Sequence, residues 1–192
     1  MNNALRAFLA AVAAEEESRA EESARGLRQV GDEAIPELRA LLADPDPNRR
    51  WWALRALAAV GTDAAAKLLI TALEDGDADV RACAVVALSK LKPKEAIRPL
   101  VARLSDNSAY VGRLTADALA QFGQPAVEAL IDALQEGETA ARAGAARALS
   151  AIQPEEAIPA LYQALDDPSA LVTYYAEEAL ERMGVGILFF RR

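Results

Sequence analysis

The chain has 192 residues, with 21 Lys and Arg against 29 Asp and Glu, one Cys and no His. Without His there is no Ser–His or Cys–His nucleophile pair, no His-ligated metal centre and no imidazole relay. The lone Cys83 leaves no disulfide within the chain and no multi-Cys metal site, and the net charge of −8 argues against phosphate-backbone binding.

The first thirty residues read as a helix pair. Leu5, Phe8, Leu9 and Val12 fall at i, i+3, i+4 and i+7, one face of a helix. That spacing outweighs a weak likeness to a signal peptide, so no leader is expected and the chain is read as cytoplasmic. The charged run EEESRAEES in residues 15–23 suits a terminal cap, whose outer face must meet water. No segment approaches the roughly 18 uncharged apolar residues that a membrane-spanning helix needs.

From residue 31 the chain repeats itself. Segments opening at Asp44, Asp75, Asp106, Glu136 and Asp167 follow one another at intervals of 31, 31, 30 and 31 residues. Such a period marks a solenoid built from one stacked supersecondary unit. Each unit reads as two helices. One is of the A-I-x-x-L-x-x-x-L type, with Ile35/Leu38/Leu42, Ile97/Leu100/Leu104, Val127/Leu130/Leu134 and Ile158/Leu161/Leu165. The other is of the V-R-x-x-A-x-x-A-L type, with Val80/Ala84/Ala87/Leu88, Val111/Thr115/Ala118/Leu119 and Val172/Ala176/Ala179/Leu180. Both patterns have the helical period, and small Ala residues let paired helices approach closely.

Punctuation agrees with this division. Asp, Asn and Ser clusters at 75–79, 106–108 and 166–169 supply N-cap acceptors for the second helix of each unit. Pro93 and Pro154 stand where the next helix begins, and Pro36, Pro99 and Pro159 lie slightly further in. Gly31, Gly61, Gly123 and Gly184 stand just past helix ends. The expected fold is all-α, a right-handed α-solenoid of about six helix pairs in a single domain. Residues 1–30 are the cap, 31–184 the repeats and 185–192 an apolar tail.

The repeated Asp, the Val-Arg six residues on and the following A-x-x-A-L resemble HEAT repeats of the short bacterial, phycobilisome lyase type. The resemblance covers residues 24–184. It implies that the Asp and Arg act as rungs tying neighbouring units together, through Asp44/Arg50, Asp75/Arg81 and Glu136/Arg142. Gly112 and Thr173 stand where the third and last units would carry Arg, so the ladder is expected to weaken there. It further implies that the V-R helices line a concave groove. The positions that vary on that side are Asn48, Trp51, Trp52 and Arg55, then Tyr110, Arg113, Asp117 and Gln121, then Arg147, and finally Tyr174, Tyr175, Glu178 and Arg182.

Trp51-Trp52 and Tyr174-Tyr175 occupy matched slots, 123 residues or four periods apart. Trp, Tyr and Arg dominate interface energetics, so one member of each pair is expected to anchor a protein or peptide partner while the other packs inward. Arg113 and Asp117 have the spacing of an exposed i, i+4 ion pair. Cys83 occupies an Ala slot and reads as a packing residue. In the tail, Ile187, Leu188, Phe189 and Phe190 precede two arginines and suit either a cap over the last helix or weak self-association of an otherwise monomeric chain.

These features favour a non-catalytic scaffold or adaptor that binds a protein partner, without metal, cofactor, nucleic acid or membrane. The resemblance implies a second possibility, a phycobilin lyase-type subunit or chaperone handling a linear tetrapyrrole. A DNA glycosylase of HEAT-like architecture would need a strongly basic groove, which an acidic chain does not offer.

Overall fold

The computed structural model describes residues 2–185. The apolar run at Ile187, Leu188, Phe189 and Phe190, for which capping or self-association is expected, lies outside the described residues. Twelve α-helices occur among those described: α1 (Asn3–Ala13), α2 (Glu17–Val30), α3 (Ile35–Leu42), α4 (Pro47–Val60), α5 (Asp63–Thr71), α6 (Ala78–Leu91), α7 (Ile97–Ala102), α8 (Ala109–Phe122), α9 (Val127–Glu136), α10 (Thr139–Ile152), α11 (Ile158–Ala164) and α12 (Ala170–Arg182). The all-α repeat architecture expected from the 31-residue period is the one observed.

Of the second helices, α4 and α6 begin at side-chain caps, whereas Ser108 and Ser169 ahead of α8 and α12 make no such bond. Left-handed residues end α4, α6 and α10. Asp46 accepts from the Asn48 N–H ahead of α4, where Pro47 takes the first turn without loss because its missing N–H would be an orphan. Asp77 accepts from the Asp79 and Val80 N–H groups ahead of α6. Gly61 closes α4 at φ +68, returning its N–H to the Leu57 carbonyl. At the matching place after α6 and α10 stand Lys92 and Gln153, at φ +52 and +58. Each donates its N–H to the fourth residue back, Leu88 or Leu149, so the capping bond holds a strained conformation that glycine would adopt without cost.

The first helices are tighter. Short 3-10 turns at 31–34, 94–96, 124–126 and 155–157 precede α3, α7, α9 and α11. The α-helical segments then open at Ile35, Ile97, Val127 and Ile158, so Pro36, Pro99 and Pro159 fall in a first turn, where no intrahelical donor is lost.

Packing divides the chain into two compact units, Met1–Pro93 and Lys94–Arg192. In the first, α2, α4 and α6 lie side by side as one layer, with α3 and α5 as the other, and α1 packs on α2. In the second, α8, α10 and α12 form one layer and α7, α9 and α11 the other. The alanines of the V-R helices, Ala53, Ala56, Ala84, Ala118, Ala145 and Ala176 among them, are buried within these layers. Leu54, Leu57 and Leu88 fill the first core, and Leu119, Leu130, Leu149 and Leu180 the second. In α1 the buried side chains are Leu5, Phe8, Ala11 and Val12, the apolar face read from the sequence.

Candidate functional site

Two sets of polar contacts recur in the second-helix layer of each unit. The first sits at the helix starts. Arg50 Nε and Nη2 each donate at 2.8 Å to the two oxygens of Asp75, while its Nη1 donates to the Asp44 and Pro45 carbonyls. In the second unit Arg142 repeats this on Asp167, at 2.7 and 3.1 Å, with Nη1 on the Gly137 carbonyl. Each Asp also accepts the backbone N–H two residues on, from Asp77 or Ser169. Burial pushes the Asp75 carboxyl up, but the Arg50 and Asp77 donors outweigh it and hold the group below the ordinary carboxylate value. Arg142 holds Asp167 down in the same way.

A rung therefore joins the Arg of one repeat to the Asp of the next. Asp44 sits in the first turn of this pattern and binds Arg50 through its backbone carbonyl, its carboxylate being taken by the Asp46 N–H and Arg49. Arg81 is buried, and its Nη1 donates to the Asp75 and Gly76 carbonyls. Glu136 is exposed and does not hold Arg142, whose carboxylate partner lies one repeat further on. The expected weakening at the last repeat does not occur, because Asp167 needs only the preceding Arg142 and not an arginine at position 173. Gly112 has its own reason for lacking a side chain: a Cβ there would stand 3.0 Å from the Leu104 carbonyl oxygen.

The second set lies further along the same helices. In the first unit Trp51 and Trp52 meet edge to face, 5.0 Å between centroids, and the Arg55 guanidinium lies 5.4 Å over the Trp51 ring. Arg55 in turn donates to Glu21 of α2 at 2.6 Å. In the second unit Tyr174 and Tyr175 meet at 5.2 Å, Arg147 lies 6.0 Å from the Tyr175 ring, and Arg147 donates to Asp117 of α8 at 2.8 Å. Arg147 also reaches the Tyr175 hydroxyl at 3.5 Å. Each aromatic pair is thus backed by an arginine that a carboxylate from the preceding second helix holds in place.

The pairs divide as neighbouring residues on a helix must, about 100° apart. Trp52 is 7% exposed and belongs to the core, whereas Trp51 is half-buried. Tyr174 is 57% exposed and Tyr175 half-buried. Tyr110 and Leu171, in matched slots of α8 and α12, are also exposed. Asn48, Arg113 and Gln121 are exposed without joining either cluster, and Arg182 pairs with Glu178 at 3.1 Å. The carboxylate that i, i+4 spacing would give to Arg113 is instead engaged by Arg147. Glu21 was not singled out in the sequence, and Asp167 was read there as the opening of the last segment and not as the partner of Arg142. Asp167 stands 25 residues after Arg142 just as Asp75 stands 25 after Arg50, a spacing that identifies it.

Cys83 is mostly buried, and desolvation pushes its thiol up to about 11. Among the described residues no three or more His, Cys, Asp or Glu side chains are grouped to hold a metal ion. No described helix is long and apolar enough to cross a membrane.

Paired helices in two layers within each unit, with an Arg–Asp rung in each whose partners stand 25 residues apart, define a helical-repeat protein. Residues 5–89, 35–113 and 97–181 match the family of HEAT repeats, and the chain belongs to that family. It is similar to a phycobilisome maturation protein of Synechococcus elongatus, 36% identical over 104 residues, or 54% of this chain and 50% of the relative. It is 29% identical over 162 residues to the phycocyanin operon protein Z of Pseudanabaena tenuis, covering 79% of this chain and 80% of that protein. Among solved structures it resembles one in the complex of CpcE and CpcF of phycocyanin lyase from Nostoc sp. PCC7120. There the TM-score is 0.53 and the identity 28%, over 78% of this chain and 64% of the other. The chain thus spans half the length of the first of these relatives and under two thirds of the lyase chain.

Proposed function

We propose that the chain is a non-catalytic protein-binding module of phycobilisome maturation, whose partner is a phycocyanin subunit. The observation that carries this reading is a constellation found in both units: an edge-to-face aromatic pair whose two members differ in exposure, beside a carboxylate-held arginine. Rings give large contact area at low entropic cost, and the fixed guanidinium presents donors without reordering, so such surfaces are preorganised. Trp51 with Arg55 serves the first unit, and Tyr174, Tyr110 and Leu171 with Arg147 serve the second. The rungs at Arg50–Asp75 and Arg142–Asp167 keep the helix starts in register beneath them. Titrating the chain with phycocyanin subunits tests the reading, which requires saturable binding; no binding to either subunit would remove it.

A second reading, handling of a linear tetrapyrrole as a lyase-type subunit, is favoured by the similarity to the phycocyanin lyase structure. Its test is optical. The absorbance of a free bilin should shift on mixing with the chain, and an unchanged spectrum would leave protein binding alone.

A further inference from the structure

The first-helix layer of the second unit carries a groove separate from the aromatic surfaces. About 450 Å³ in volume, it runs between α7 and α9 and past the end of α9 to the first turn of α10. Val101, Ala129 and Ala133 give it apolar walls. Arg98 and Asp132 meet at one end, 3.8 Å apart and both exposed, so that pair closes the end only weakly. At the other end stand Glu136 and Glu138, with the bare backbone of Gly137 between them.

Both of these carboxylates are exposed, and among the described residues no cation pairs with either. Glu138 precedes α10 without capping it through its side chain. The neighbouring sequence supplies no counter-charge. Between Arg113 and Arg182 the basic residues are Arg142 and Arg147, and Asp167 and Asp117 already hold both. Over the same stretch α9 and the turn ahead of α11 add Glu128, Glu155 and Glu156. An apolar surface therefore runs into uncompensated negative charge, a field that draws basic segments in and turns acidic ones away.

The occupant that fits carries its positive charge at the tip of an apolar stem, the form of lysine and arginine side chains. A bare metal cation would leave the apolar walls uncovered, and a purely apolar group would leave the carboxylates without a partner.

We infer that the α7–α9 groove docks a basic, apolar peptide segment of a partner protein. The stem of a lysine or arginine lies over Val101, Ala129 and Ala133, and its head sits between Glu136 and Glu138. The groove is on the other helix layer from the aromatic surfaces, so it stands whether or not those bind phycocyanin.

Fluorescence anisotropy with the full-length chain tests it. The probes are labelled peptides that alternate leucine with arginine, serine with arginine, and leucine with glutamate. The first should bind saturably, at least tenfold more tightly than the second, and the third should not bind. Glu136→Gln with Glu138→Gln should weaken the first at least tenfold. Ala102→Trp, which fills the groove from an exposed position, should do the same. Glu177→Gln with Glu181→Gln removes equal charge from exposed positions on α12 and should leave affinity unchanged. All the substituted residues are exposed, so circular dichroism should match the wild type.

No saturable binding of the leucine–arginine peptide would overturn the inference. So would equal affinity for the serine peptide, equal losses from the two glutamine pairs, or an Ala102→Trp variant that binds normally. Sedimentation of the chain alone covers the remaining occupant. A dimer that Glu136→Gln with Glu138→Gln dissolves would give the groove to a second copy and overturn the inference as well.

Discussion

Arg50 and Asp75, 25 residues apart, meet through two parallel hydrogen bonds of 2.8 Å, both side chains more than four-fifths buried. The Arg55–Glu21 and Arg147–Asp117 pairs are more exposed and stand on the layer surface. Burial decides their weight, since exposed pairs contribute about 0–1 kcal/mol and hydrogen bonds to charged groups about 1.5–3 kcal/mol when shielded. Asp75→Ala is expected to lower unfolding free energy by about 2–3 kcal/mol, and Asp117→Ala by under about 1 kcal/mol. Urea titrations of the two variants make the comparison directly.

Acid should dissolve the rungs. Asp75 and Asp167 are held below the ordinary carboxylate value of 3.8 in the folded chain. A group depressed on folding contributes stability that is complete above its unfolded pKa and is lost as pH falls through the folded value. Melting temperature should therefore hold steady above about pH 5 and fall steeply below about pH 4. With Asp75→Asn and Asp167→Asn combined, the plateau should be lower and the acid limb shallower. Thermal melts between pH 2.5 and 7 read both slopes.

Cys83 should be inert in the native chain. A thiol raised from 9.0 to about 11 holds about a hundredfold less thiolate at neutral pH than an ordinary cysteine. Iodoacetamide at pH 7.5 should leave it unmodified over an hour and alkylate it fully in denaturant, as intact mass shows.

Gly137 ends α9 with an ordinary φ of −75, so its need for glycine is steric and not conformational. A Cβ there would lie 2.4 Å from the Ala133 carbonyl oxygen and 3.0 Å from the Ala141 methyl. Gly137→Ala is expected to cost about 1–3 kcal/mol, the usual range for overpacking. Gly76→Ala, where nothing stands within 4 Å, should change stability little. Differential scanning calorimetry separates the two.

The period was legible because each repeat solves the same packing problem, so Ala and Leu recur at fixed intervals where helices touch. Helix starts were legible at Asp46 and Asp77, whose side chains cap the backbone directly. The left-handed ends at Lys92 and Gln153 were not, since the capping bond there uses backbone atoms and leaves the residue type free. In the site, the core role of one tryptophan followed from helical geometry alone. Which repeats a rung joins did not: Arg50 reaches forward to Asp75 because the chain turns that loop towards it, a fact of tertiary placement. For the same reason Asp117 met Arg147 from the next second helix and not its own helical neighbour.

Binding through the aromatic surfaces is tested most directly by isothermal titration of phycocyanin subunits into the wild-type chain and a Trp51→Ala, Tyr174→Ala variant. Both side chains are partly exposed, so helical content should be retained and the melting temperature should drop by only a few degrees. The wild type should bind saturably, and the folded variant should lose at least tenfold in affinity. Equal affinity of the two proteins, or collapse of the variant's fold, would contradict it.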